Sequence, residues 1–107
     1  MKHTFVLLQL DAENIHVLAE HKLYVSWDIL NKNSKFNINQ YKKVYEGEVE
    51  GDDISETLET LFELFNINHP KDYHGRSMST SDVVILDGVK YYCDGWGWMN
   101  IDTEKKL

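Results

Sequence analysis

Val83-Val84-Ile85-Leu86 runs into Asp87-Gly88 and returns through Val89-Lys90-Tyr91-Tyr92-Cys93-Asp94. Asp-Gly between two β-forming runs specifies a two-residue turn of type I′. Both central residues of that turn take positive φ, and its twist matches that of paired strands. The chain must therefore hold an antiparallel hairpin. Its first strand is too apolar on both faces for a sheet edge, so further elements must cover it.

Other segments supply them. His3–Leu10 is almost continuously apolar and rich in β-formers, which predicts a buried strand. Tyr41–Glu50 alternates, with Tyr41, Lys43, Tyr45, Gly47 and Val49 on one face and Glu46, Glu48 and Glu50 on the other: a half-buried strand. After Gly51-Asp52-Asp53, apolar residues fall at Ile54, Leu58, Leu61, Phe62 and Phe65. That i, i+4, i+7, i+8, i+11 spacing predicts an amphipathic helix. Asp53 with Glu56 forms a D-x-x-E capping box, with Ser55 as a rival cap. Residues 11–25 fit neither period, and Ser26 caps a short helix carrying Trp27, Ile29 and Leu30. Gly95-Trp96-Gly97-Trp98-Met99 is expected to continue the last strand with a bend at its glycines. The expected architecture is α+β: a mostly antiparallel sheet of four to five strands with one main and one short helix on it, over residues 1–101. Residues 102–107 read as a charged tail.

A chain of 107 residues is one domain's length. Eleven basic against eighteen acidic side chains give a net charge of −7, which argues against direct nonspecific binding to nucleic acid or to anionic membranes. The single cysteine, Cys93, permits no internal disulfide and no CxxC zinc site, as expected of a chain made for a reducing cytoplasm. The apolar run 5–10 is too short for a signal sequence, and no apolar stretch approaches the ~20 residues of a membrane span.

Residues 66–81 have no usable period and, with Asp82, concentrate chemistry: His69, Asp72, His74, Arg76, Ser77, Ser79, Ser81 and Asp82. A hydrolase would need one of these serines bonded to a histidine that a carboxylate orients. No G-x-S-x-G elbow is present, and short hydroxyls and Asp82 equally suit Asx and ST turns that satisfy a long loop's backbone. His69, Asp72, His74, Cys93 and Asp94 lack zinc-ligand spacing. No catalytic residue, metal or cofactor is expected.

The stretch from Phe65 to Leu86, FNINHPKDYHGRSMSTSDVVIL, resembles the YodL-like domain family, whose pattern is F-N-x-x-x-P-x-D-(Y/F)-x-G-(H/R)-S-(L/M)-S-x-S-D-V-V. Val6–Leu10, Val44–Glu48 and Tyr91–Asp94 fall in the family's order as well. Trp96-Gly97-Trp98 stands where the family more often has Phe-Gly-Phe, and Arg76 where His is common. The resemblance implies a small bacterial domain of mobile-element or phage origin and no known enzymatic activity.

Charge gives a functional expectation. Between Val44 and Pro70 lie Glu46, Glu48, Glu50, Asp52, Asp53, Glu56, Glu59 and Glu63, with no lysine or arginine. Aligned like charges are mildly unfavourable, so such a run is either a solvated face or a docking surface. Trp96 and Trp98 are candidate aromatic contacts, although large aromatics in a small domain more often belong to its core. The expected function is a non-enzymatic acidic protein that modulates or inhibits a host defence protein through that acidic surface. Its partner would carry a basic surface, for example a nucleic-acid groove, as for anti-CRISPR or antirestriction proteins. Two other readings stand beside it: a protein-interaction module using the aromatic C-terminal segment and the 66–81 loop, and a small hydrolase using that loop. Oligomeric state is not legible.

Overall fold

Two runs with apolar residues on both faces can bury them only by lying inside a sheet covered on both sides. The structure, a computed structural model, describes residues 1–10, 38–75, 77–78, 80–94 and 97–107. Strand β1 (Lys2–Leu10) pairs antiparallel with β2 (Tyr41–Glu50) on one side and with β3 (Val83–Leu86) on the other. From β3 the sheet continues as a meander through β4 (Val89–Asp94), β5 (Gly97–Asn100) and β6 (Lys105–Lys106). β2 and β3 therefore run parallel across β1, and parallel strands need a crossover. Helix α1 (Ile54–Ile67) lies in it.

The helix starts where the capping box places it: the Asp53 carboxylate accepts from the Glu56 amide at 2.7 Å. The hairpin turn is also as expected, with φ of 51° at Asp87 and 86° at Gly88. On the helix side of the sheet, Phe5, Leu7, Val84, Leu86, Tyr91, Cys93 and Trp98 pack with Leu58, Leu61 and Phe65. A second buried cluster, Leu8, Val83, Tyr92 and Met99, occupies the opposite face with Val6, Tyr41 and Ile85 against it. The fold is α+β, as the sequence predicts.

Four details differ from expectation. The strand count is six. Asp94 pairs with Gly97, so the chain reverses between β4 and β5 instead of continuing through a bend. The 102–107 tail folds back, with Asp102 accepting from the Lys90 amide at 3.1 Å and the Leu107 amide donating to Trp98 at 3.0 Å. Backbone groups left along the edge of β5 drive this, since pairing satisfies them. Finally, β2 does not alternate cleanly. Tyr45 faces Leu7 while Lys43 faces Leu8, so Val44 is an extra residue in a β-bulge. Tyr41 and Tyr45 consequently pack on opposite faces of the sheet. The short helix at Ser26 and the ambiguous stretch 11–25 lie outside the described residues. No helix among the described residues is long and apolar enough to cross a membrane.

Candidate functional site

The chemistry-rich loop folds mainly as a plug. Tyr73 and Met78 are buried in the helix-side core. A Cβ at Gly75 would stand 2.5–2.9 Å from the phenol of Tyr73, so the chain can pass that ring only as glycine. Asp82 is fully buried, and the Gln9 amide donates both to its carboxylate at 3.2 Å and to the Tyr73 hydroxyl at 3.1 Å. Ser81 takes a φ of 89°, which disfavours any side chain bearing a Cβ. Its backbone is held by donation from its amide to Cys93 at 2.8 Å and acceptance from the Tyr41 hydroxyl at 2.6 Å. The Ser81 hydroxyl is buried and has no hydrogen-bond partner among the described residues.

Other candidates in this loop point outward. His69, Asp72, His74 and Ser77 are exposed. The His69 ring packs edge-on against Tyr73, centroids 5.3 Å apart, and Asp72 accepts from the Tyr45 hydroxyl at 3.0 Å. That bond, with burial, raises the Tyr45 pKa above its ordinary value. Among the described residues no three His, Cys, Asp or Glu side chains converge as metal ligands would. Arg76, Ser79 and Trp96 lie outside the described residues.

The acidic run is divided in two by the sheet. Phe5 pairs with Gly47 and His3 with Val49 on the helix side, so Glu46, Glu48 and Glu50 project from the opposite face. There Lys43 lies 3.2 Å from Glu46 and Lys2 3.8 Å from Glu48, while the N-terminal ammonium lies 3.4 Å from Glu50 and 3.8 Å from Asp52. Among the described residues β2 is an edge strand, and alternating charges with a bulge are what keep such an edge from pairing with other chains. Asp53 is committed to its cap. Glu56, Glu59 and Glu63 instead lie on the outer face of α1, away from Leu58, Leu61 and Phe65. The single strand–helix acidic surface expected from sequence is thus not formed, because β2 and α1 turn their polar sides in opposite directions. Among the described residues only Glu56, Glu59 and Glu63 remain together without an ion pair. Trp98, at 3% exposure, is a core residue and not an exposed anchor, because its strand turns it toward α1.

One cluster had no local signature in the sequence. The buried His3 ring has Nδ1 2.5 Å from the Asp87 carboxylate and Nε2 3.0 Å from the Gly51 carbonyl. With an acceptor at each nitrogen, both carry hydrogen only in the imidazolium. The Asp87 bond, then the Gly51 carbonyl, raises the His3 pKa above 6.5, against burial and the nearby N-terminal ammonium. Asp87 is held below 3.8 by His3 and then by the Thr4 amide. A raised imidazole value stabilises the fold fully below about 6.5 and loses that contribution as pH rises through the folded value. A lowered carboxylate value contributes above about 3.9 and is lost as pH falls through its own folded value. The clasp is therefore complete between those limits. The unfolding midpoint is expected to fall as pH rises from about 6.5 through the raised folded value of His3, and His3→Gln should flatten that fall. An NMR titration placing His3 at or below 6.5 would refute the clasp.

The YodL-like domain family matches residues 4–103. The chain is also similar to the uncharacterized protein YodL of Bacillus subtilis (strain 168), with 40% identity over 58 residues, covering 49% of this chain and 56% of that protein. The match thus spans little more than half the length of that relative. No solved structure matches the chain. A family match running from the first strand to the turn before the last covers the sheet, the helix and the plugging loop together, and the chain belongs to the YodL-like domain family.

Proposed function

We propose that this domain is a non-enzymatic binding protein that presents the outer face of α1 to a basic site on another protein. The observation that carries the reading is the line of Glu56, Glu59 and Glu63, unpaired among the described residues, where the β2 carboxylates have cationic neighbours. Steps of three and four residues place these groups on successive turns, about 4.5 and 6 Å apart along the axis. Such a stripe repels itself slightly and steers a positively charged partner into encounter. The buried Ser81 hydroxyl, unpartnered among the described residues, weighs against the hydrolase reading, and buried Trp98 against the aromatic-anchor one. In its sharpest form the partner is a nucleic-acid-binding defence protein of the host, whose groove the helix occupies.

Two triple variants test it, Glu56→Gln/Glu59→Gln/Glu63→Gln and Glu46→Gln/Glu48→Gln/Glu50→Gln, each checked for an unchanged unfolding midpoint. Capture from bacterial host extract should lose its partner with the helix variant and keep it with the strand variant, and raised salt should release it. Displacement by duplex DNA would support the groove form. Equal capture by both variants, or binding indifferent to salt, would reject the reading.

A further inference from the structure

A buried imidazole with a hydrogen-bond acceptor at each nitrogen satisfies both only while it is doubly protonated. His3 is such a group, with the Asp87 carboxylate at Nδ1 and the Gly51 carbonyl at Nε2. The two contacts lead to different parts of the fold. On the Asp87 side, the carboxylate also accepts from the Thr4 amide at 3.0 Å, and the Asp87 amide donates to the Thr4 carbonyl at 2.9 Å. These bonds join β1 to the β3–β4 turn without the ring. On the Gly51 side, the carbonyl belongs to the turn between β2 and α1. Gly51 lies against Thr57 in the first turn of the helix, and its amide donates to the Met1 carbonyl at 3.0 Å.

The two acceptors are unequal, since a carboxylate binds an N–H about twice as strongly as a neutral carbonyl does. A neutral ring keeps one hydrogen and turns the other nitrogen's lone pair toward an acceptor. A lone pair at Nδ1 would meet a full negative charge 2.5 Å away, whereas one at Nε2 meets only a carbonyl dipole at 3.0 Å. We propose that His3 is a pH-operated latch on the entry to α1. On losing its proton the ring keeps Nδ1–H on Asp87 and releases the Gly51 carbonyl. The β2–α1 turn then loosens, while the contact between β1 and the β3–β4 turn holds. The latch is closed in acid and opens as pH rises through the folded value of the ring. Asp87, held below 3.8, stays ionised throughout, and Tyr91, which feels the Asp87 charge and is raised above 10.0, stays neutral. The other charge acting on the ring is the N-terminal ammonium, which favours release and is itself matched by Glu50 at 3.4 Å and Asp52 at 3.8 Å. From β2, Val49 pairs with His3, and α1 meets the turn with uncharged Thr57. The latch operates whether or not α1 docks a basic partner.

The test follows the full chain by NMR from about pH 5 to about pH 9, spanning the ordinary histidine value. Ring-nitrogen shifts report which nitrogen loses its hydrogen. Amide exchange, divided by each residue's intrinsic rate, reports which contact opens. Nε2 should deprotonate while Nδ1 stays protonated. Gly51 protection should fall about fivefold over the same range, the worth of one hydrogen bond, with the Thr4 and Asp87 amides unchanged. Asp87→Asn, which the Asn-Gly preference of type I′ turns lets fold, should reverse the choice. Without the carboxylate charge, Nδ1 can accept from the new side-chain amide, so Nε2 keeps its hydrogen on Gly51 and Gly51 protection stays level with pH. Deprotonation at Nδ1 in the parent, or Thr4 and Asp87 opening together with Gly51, would overturn the proposal. So would Gly51 protection that stays constant through the parent's titration, or an Asp87→Asn response identical to the parent's.

Discussion

Replacing Phe65 with alanine is expected to lower stability by about 3–5 kcal/mol, the usual cost of emptying an aromatic site in a packed core. The Phe65 ring is fully buried, with centroids 4.8 Å from Tyr73, 5.4 Å from Tyr45 and 5.9 Å from Phe5. It is thus the point where α1, β1, β2 and the loop meet, and no single neighbour can move in to fill the space. Since domains of this size have about 5–15 kcal/mol in total, the variant should lose a large share of its folded population. Urea unfolding should show a lower midpoint with an unchanged slope. Phe65→Leu, which keeps most of the volume, should fall between. A loss below about 1 kcal/mol would mean that the ring does not hold these elements together.

Gly51→Ala should cost about 2–3 kcal/mol through a different mechanism, overpacking at the turn into the helix. A Cβ there would stand 1.8 Å from the Thr57 hydroxyl oxygen and 2.9 Å from the Thr57 Cβ. Neither side can yield freely. The Gly51 amide donates to Met1 at 3.0 Å and its carbonyl accepts from His3 at 3.0 Å, while the buried Thr57 hydroxyl donates to the Asp53 carbonyl at 2.7 Å. In a Thr57→Ala background the worst overlap disappears, so the penalty should shrink, a coupling that a double-mutant cycle reads directly. Because Gly51 also anchors the His3 clasp, Gly51→Ala should lose part of the pH dependence of stability as well. A variant as stable as the parent would show that the turn has more room than this packing implies.

The elements that the sequence revealed are those whose causes are local. The helix follows from the 3.6-residue period and the Asp53 cap, and the turn from the positive φ values that Asp-Gly tolerates. The family motif was legible as a string but not as a function. Phe65, Tyr73, Met78 and Asp82 are buried, and Gly75 stands against a ring, so most of the pattern encodes a plug for the core. Among the described residues the motif's Asp72 and Ser77, with the intervening His69 and His74, face outward. The bulge at Val44 left little trace, because one extra residue changes which side chains share a face without changing their composition.

The sequence by itself determined that a capped amphipathic helix and an Asp-Gly hairpin must form, because periodicity, capping and turn geometry act over a few neighbouring residues. Tertiary structure alone decided which charges share a surface and which polar groups meet. Its strand order divides the acidic run between two sides of the sheet, brings His3 to Asp87 across 84 positions, and lays Lys106 on Asp94. The reason is that strand order follows from burying the apolar faces of distant segments against one another, and charges travel with the strands that carry them.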